Sequence, residues 1–268
     1  MNALLLLAQL GLATPTGTEV ASSMVDLNGR QRQAVFVQQL LDRQVPDHLG
    51  RLYPVRWIAN DTRGGRHVVE IDVLRDYVAI GTDADFLRAP LDLPSAIAVG
   101  RAWRMILPTP KMVDEIYAHA TDRLSPRPMS PSDRMRSVWA YLTYRARLSE
   151  QGATRPTEGL RVGHKKDLVL TPQLEDHADR VAIYGWHRTN GTAIQGLSLW
   201  HGAGYTDYSH GVRFVSPEVR VDSHPMDFFA LLADPVLWPL VSREGPWAGA
   251  RAVMWPDSDP GYVEYVPD

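Results

Sequence analysis

Between Trp200 and Arg213 the chain reads WHGAGYTDYSHGVR. This short strip holds His201, His210, Asp207, Ser209, Arg213 and the aromatic residues Trp200, Tyr205 and Tyr208. Imidazole is the usual general acid or base near neutral pH and the commonest protein metal ligand. A neighbouring carboxylate can orient or charge-stabilise it, so three chemistries are open here. In one, His201, His210 and the upstream His187 move protons while Asp207 orients them. In the second, His201, Asp207 and His210 hold a divalent ion such as zinc, whose bound water attacks the substrate. In the third, Ser209 is a nucleophile served by one of these histidines and Asp207. Arg213 and Lys166 are cations suited to an anionic substrate group. Trp200 and Tyr205, with Trp186 and Tyr208, offer aromatic faces for sugar rings. For each of these residues a purely structural role is the plain alternative.

Strand geometry limits which of them meet. If YTDYSHGVR is extended, Tyr205, Asp207, Ser209 and Arg213 share one face, and His210 joins them only if the chain bulges at Gly211. The glycines at 202 and 204 predict a turn that folds SLW back onto YTDYSH, which brings His201, Asp207 and His210 together. His187 is different. Asn190-Gly191 predicts a two-residue hairpin turn. A simple hairpin would hold His187 roughly 30 Å from His201, at about 3.3 Å per residue. In GHKKDLVL a strand sends Lys165 and Lys166 to opposite faces, with Lys165 read as the solvated one. Six of the nine histidines fall between His164 and His224, which makes convergence in this part of the fold plausible.

Ser209-His210-Gly211, with an arginine just after, resembles the Ser-His-Gly-Cys-x-Arg strip of YkuD-type L,D-transpeptidases, exported cell-wall enzymes with a cysteine nucleophile. The likeness covers about a tenth of the chain. Val212 stands where the cysteine would be and Arg213 comes one residue early. The resemblance therefore carries no transpeptidation. The combination of GHKKD, VAIYGWH and DYSHGVR also resembles a family of predicted exported bacterial proteins of uncharacterised activity.

The elements that must position the strip are legible in outline. Helical spacing is predicted for NGRQRQAVFVQQLLDRQVP, PSAIAVGRAWRM, PKMVDEIYAHATDRL, SDRMRSVWAYLTYRARLSE (opened by Ser132) and MDFFALLADPVLWPLVS, broken at Pro235. Strands are predicted for YPVRWIAN, RHVVEIDVLRDYVAIG with a break near Arg75-Asp76, and the runs after Arg161. TDADFLRAPLD reads as a polar loop. Strands, then helices, then strands imply an α+β fold, mainly antiparallel, with a strand-rich C-terminal half. The expected organisation is a signal peptide or flexible N-terminus over residues 1–22 and one domain over 23–268. A proline-rich, exposed and weakly held loop is expected at 125–133.

At 268 residues, 44% hydrophobic and 22% charged, the chain can bury a substantial core. A net charge of −3 without a basic run argues against a nucleic-acid partner. The absence of cysteine excludes disulfides and thiol chemistry. The apolar run Ala3 to Ala13 is too short to span a bilayer but resembles a signal-peptide core, with mature chain expected near Thr14. No HExxH, GxSxG, Walker or GxGxxG motif is present. The expected function is an exported hydrolase of a cell-envelope or extracellular polymer, or of an anionic small molecule, through the His/Asp site. The alternative is a secreted binding module using the same surface.

Overall fold

The computed structural model describes residues 14–255. The Ala3 to Ala13 run lies outside the described residues. In chain order the elements are α1 (Gly17–Ser23), α2 (Gly29–Leu41), β1 (Leu52–Asn60), β2 (Arg66–Leu74), β3 (Ala79–Gly81), β4 (Phe86–Arg88), α3 (Leu93–Ala102), α4 (Pro110–Ala118), β5 (Asp122–Arg123), α5 (Val138–Ser149), β6 (Arg161–Val162), β7 (Lys166–Leu168), β8 (Ile183–His187), β9 (Ala193–Ser198), β10 (His210–Gly211), β11 (Val215–Val221), β12 (His224–Asp227), α6 (Phe228–Ala233) and α7 (Ala250–Met254). The fold is α+β and mainly antiparallel, as the sequence implies.

Two four-stranded sheets organise it. The first has the order β1-β2-β11-β12, antiparallel throughout. Alternation drives it: Val55, Trp57 and Ala59 of β1 are buried while the residues between them face out. The second has the order β10-β7-β8-β9, with β10 parallel to β7 and the other pairs antiparallel. The chain from β10 to β11 joins the two sheets. On the way Val78 N–H donates to Val212 O (2.8 Å) and Leu74 N–H to Phe214 O (3.0 Å). Val212, Phe214 and Val215 are fully buried. The second half of the strip, from Thr206 to Arg213, is thus part of the core, not a surface strand.

Helix starts follow local capping chemistry. Asn28 and Gln31 form a reciprocal capping box on α2, and Asp92 and Thr109 cap α3 and α4, each followed by proline in the first turn. Ser137, rather than Ser132, caps α5, because residues 133–136 form a separate 3-10 turn. The segment TDADFLRAPLD contains β4, paired with β3, instead of being wholly loop. The N-terminal boundary expected at residue 22 falls inside α1, whose Val20 and Ala21 sit in the main core. The hairpin at Asn190-Gly191 is longer than two residues: His187 pairs with Ala193, Arg188 N–H donates to Thr192 O, and Gly191 takes φ 88°. No helix among the described residues is long and apolar enough to cross a membrane.

Candidate functional site

Tyr205 to Ser209 are not extended, so period-two alternation does not govern them. Asp207 Oδ1 accepts from both the backbone N–H (2.7 Å) and the hydroxyl (2.6 Å) of Ser209. His210 N–H then donates to Asp207 O (3.1 Å). Short polar side chains capture local backbone in this way and replace strand by a tight turn. The turn delivers His210 to β10 beside Lys166, and Lys166 N–H donates to Ser209 O (2.8 Å). Gly211 is required there by close approach. A Cβ on it would lie 2.7 Å from Lys165 Cβ and 2.7 Å from a Tyr77 ring carbon.

The turn after β9 brings His201 onto the same cluster, with Tyr205 N–H donating to Gly202 O (2.9 Å). The His201 and Tyr205 rings stack with centroids 3.8 Å apart and 9° between planes. His210 packs 5.6 Å from Tyr205 and 6.2 Å from His201. Tyr205 OH donates to Asp207 Oδ2 (3.1 Å), so one tyrosine touches both His201 and the carboxylate. His201, Asp207 and His210 therefore form one cluster, partly open at His201 and closed at His210. Neither ring nitrogen of His210 has a partner, although both are enclosed. Each buried, unpaired polar atom costs on the order of 1–3 kcal/mol.

Charge is arranged around these rings. Burial, against the attraction of Asp207, pushes the His210 imidazole down to about 4, and Lys166, His201 and Lys165 add to the effect. Burial would raise the Asp207 carboxyl, but His210, the two Ser209 bonds and Lys166 outweigh it and hold the group below its ordinary range. Burial also lowers His201, with Asp207 opposing and Lys166 and Arg136 assisting. Burial and the Asp207 charge lift the Tyr205 hydroxyl to about 12. At neutral pH the cluster is two neutral imidazoles, one carboxylate and one phenol.

Lys166 Nζ sits 5.0 Å from the centroid of the Trp186 ring. Trp186 holds φ 54°, directly after Gly185 at φ 97°, where the β8–β9 register shifts. A bulky side chain in the left-handed region is strained, and such strain persists where the surroundings over-determine it. Here Trp186 is pinned by its indole N–H donating to Tyr144 OH (3.3 Å). Lys165, expected to be solvated, is buried. Its Nζ donates to Tyr208 O, and burial, with Arg88 nearby, lowers it to about 7. Lys165 directly precedes β7 and is buried, while Lys166, the first residue of β7, keeps the partly open face.

The remaining sequence candidates are placed as follows. Ser209 is fully buried and its hydroxyl donates to Asp207, so no histidine is hydrogen-bonded to it in this arrangement. Arg213 is also buried. It donates to Leu74 O and Arg161 O and lies 4.4 Å from the Tyr77 ring centroid, which makes it a strut between segments. Trp200 is 82% exposed and lines an open groove with His177, Arg180 and Leu199. His187 lies at the turn end of the β8–β9 hairpin, while His201 lies beyond the other end, where Ile183 pairs with Ser198. His187 belongs to a different group: its Nε2 is 3.2 Å from Asp114 Oδ1, its ring stacks on Tyr117 at 4.4 Å, and Tyr184 OH also donates to Asp114 (2.9 Å). Asp114 and Tyr117 lie on α4, far off in sequence, and nothing local points to them. Among the described residues no group of three or more His, Asp or Glu is arranged to hold a metal ion, so His201, Asp207 and His210 cluster without forming a ligand set. Comparison with family models, curated proteins and solved structures finds no match to this chain.

Proposed function

We propose that the chain is an exported hydrolase of a cell-envelope or extracellular polymer, working by general acid–base chemistry at the His201–Tyr205–Asp207–His210 cluster. The observation that carries this reading is His210. It is fully enclosed, neutral and without a partner for either nitrogen, 6.2 Å from His201, a ring of the cluster that reaches solvent. A histidine kept only for packing would be better replaced by an apolar ring. His201, neutral at pH 7, takes a proton from an attacking water and, as imidazolium, returns it to the leaving group as the scissile bond breaks. Tyr205 holds the His201 ring by stacking, and Asp207 stabilises the imidazolium that forms. Lys166, braced on Trp186, supplies positive charge for an oxyanion. Trp200 is an exposed platform for a sugar ring next in sequence to the base.

The test is turnover of labelled peptidoglycan and of neutral and acidic polysaccharides by the purified protein. His201→Ala should lower the rate about 10²–10⁴-fold, the usual worth of a general base, without changing the melting temperature. Full activity in that variant, or no turnover of any of these polymers by the native protein, refutes the proposal. The second reading, a binding module, is favoured by one specific observation: Trp200 is exposed while Ser209 and His210 are closed off. It predicts polymer binding that Trp200→Ala abolishes, with no bond cleaved.

A further inference from the structure

Arg136, whose guanidinium lies over the Tyr205 ring, also lines a cavity of about 620 Å³. Its walls include Arg30, Arg32 and Arg136, the first turns of α2 and α3, and Gly204 and Thr206 of the strip itself. We propose that this cavity is a subsite for an oxyanion group, carboxylate or phosphate, carried by the substrate. The proposal rests on the functional reading above, because Arg136 of the cavity wall lies against Tyr205 of the acid–base cluster.

Four observations carry it. First, the charge is one-sided. Three guanidinium groups face one carboxylate, Asp92, and Asp92 Oδ1 is occupied in capping α3 at Ser95 N–H (2.9 Å). Among the described residues no carboxylate pairs with Arg30, Arg32 or Arg136. Second, two enclosed polar atoms at the cavity lack partners: Thr206 Oγ1, on a residue only 5% exposed, and Arg32 Nε. A hydroxyl and a guanidinium N–H are what an oxyanion accepts from. Third, Arg32 is held in place, since its terminal nitrogens each donate, to Leu27 O and to Arg136 O, while the enclosed Nε has no partner. The N-terminal ends of α2 and α3 add positive potential at the same wall. Fourth, the cavity connects to the chemistry. The Arg136 guanidinium lies 5.0 Å from the Tyr205 ring centroid, and Tyr205 is the residue that touches both His201 and Asp207. An anionic substituent held by Arg30, Arg32 and Thr206 would place the adjoining part of a polymer over His201.

The experiment is calorimetric titration of the full chain with three probes: oligogalacturonate, inorganic pyrophosphate and a neutral maltooligosaccharide. The two anions distinguish carboxylate from phosphate, and the tighter one assigns the group. The Arg30→Gln/Arg136→Gln double variant should weaken the bound anion at least tenfold. Thr206→Val should weaken it severalfold, with Thr206→Ser retaining it. A control pair at exposed positions elsewhere, Arg51→Gln/Arg188→Gln, should change it less than twofold. The proposal is overturned if neither anion binds, if the neutral sugar binds as well as the anions, or if the control pair loses as much affinity as the cavity pair. His201→Ala should leave anion affinity within twofold. Anion binding without any polymer turnover would therefore remove the hydrolase and leave the subsite. Turnover without anion binding would remove the subsite and leave the hydrolase.

Discussion

Burying a histidine is tolerable only while it stays neutral, and His210 makes that condition measurable. Its folded value is held near 4 by burial, whereas an unfolded chain protonates near 6.5. The native state therefore binds fewer protons than the unfolded state between those values. Stability present above about pH 6.5 is lost as the pH falls towards 4. The displacement corresponds to about 3 kcal/mol. Asp167 slopes the opposite way over much of the same window. Burial, against Arg213 and Tyr77, raises it to about 6, so its contribution is lost as pH rises through that value. The two partly cancel in the native protein, and a difference measurement is needed. Urea unfolding of the native protein and of His210→Gln at pH 7.5 and pH 4.5 should show the variant gaining about 3 kcal/mol relative to native at the lower pH. An unchanged difference would mean that His210 is not held neutral. Gly211 gives a second residue-scale outcome. Gly211→Ala puts a methyl into Lys165 and Tyr77 and should cost about 1–3 kcal/mol, read as a lower melting temperature.

At the scale of elements, what was legible depended on length. β1 and β2 carry nine-residue alternations, and α2 carries nearly four turns with a capping box, so each can be placed from its own residues. β5, β6 and β10 are two residues long, too short for any period to show. The association of His201, Asp207 and His210 could be read from the glycine turn at 202–204. Its route could not, because Asp207 spends its oxygens on local bonds that forbid the strand. The inward turn of Lys165 and the Asp114 partner of His187 depend on tertiary pairing that a local pattern does not encode. The loop over 125–133 shows the same mixture. It is largely exposed, as its prolines imply, yet pinned: Met129 N–H donates to Tyr208 OH (2.7 Å), Arg147 to Pro128 O (3.0 Å), and Gln151 bonds both backbone groups of Ser125. One of its anchors is thus the strip itself. Removing that anchor with Tyr208→Phe should speed limited proteolysis within 125–133 about fivefold, the worth of roughly 1 kcal/mol. First cuts in β8 or in Ser209 to Phe214 instead would mean that the strip, not the loop, is the weakly held part.

At the scale of the whole molecule, the proposed export must be compatible with the core. α1 begins at Gly17 with a capping box between Thr16 and Glu19, and Gly17 packs so closely on β4 that a Cβ there would lie 2.5 Å from Leu87 N. Val20, Ala21 and Met24 are core residues. A leader removed near Ala13 leaves all of these in place, because Thr16 is the first residue the cap uses. A cut near residue 22 would take away Val20 and the helix that seats it. Burial of one such valine is worth about 1.5–3 kcal/mol, and the loss of α1 would also uncover the β3–β4 hairpin it contacts. A chain beginning at Thr14 keeps the capping box and every α1 contact named above. One beginning at Met24 should be several kcal/mol less stable, a shift of roughly 5 °C or more for a domain of this size. N-terminal sequencing of the protein recovered from its native cell should read from Thr14. Retention of Met1 or Asn2 would end the export proposal, and with it the assignment of an envelope or extracellular substrate. A start beyond Thr16 would contradict the packing of α1.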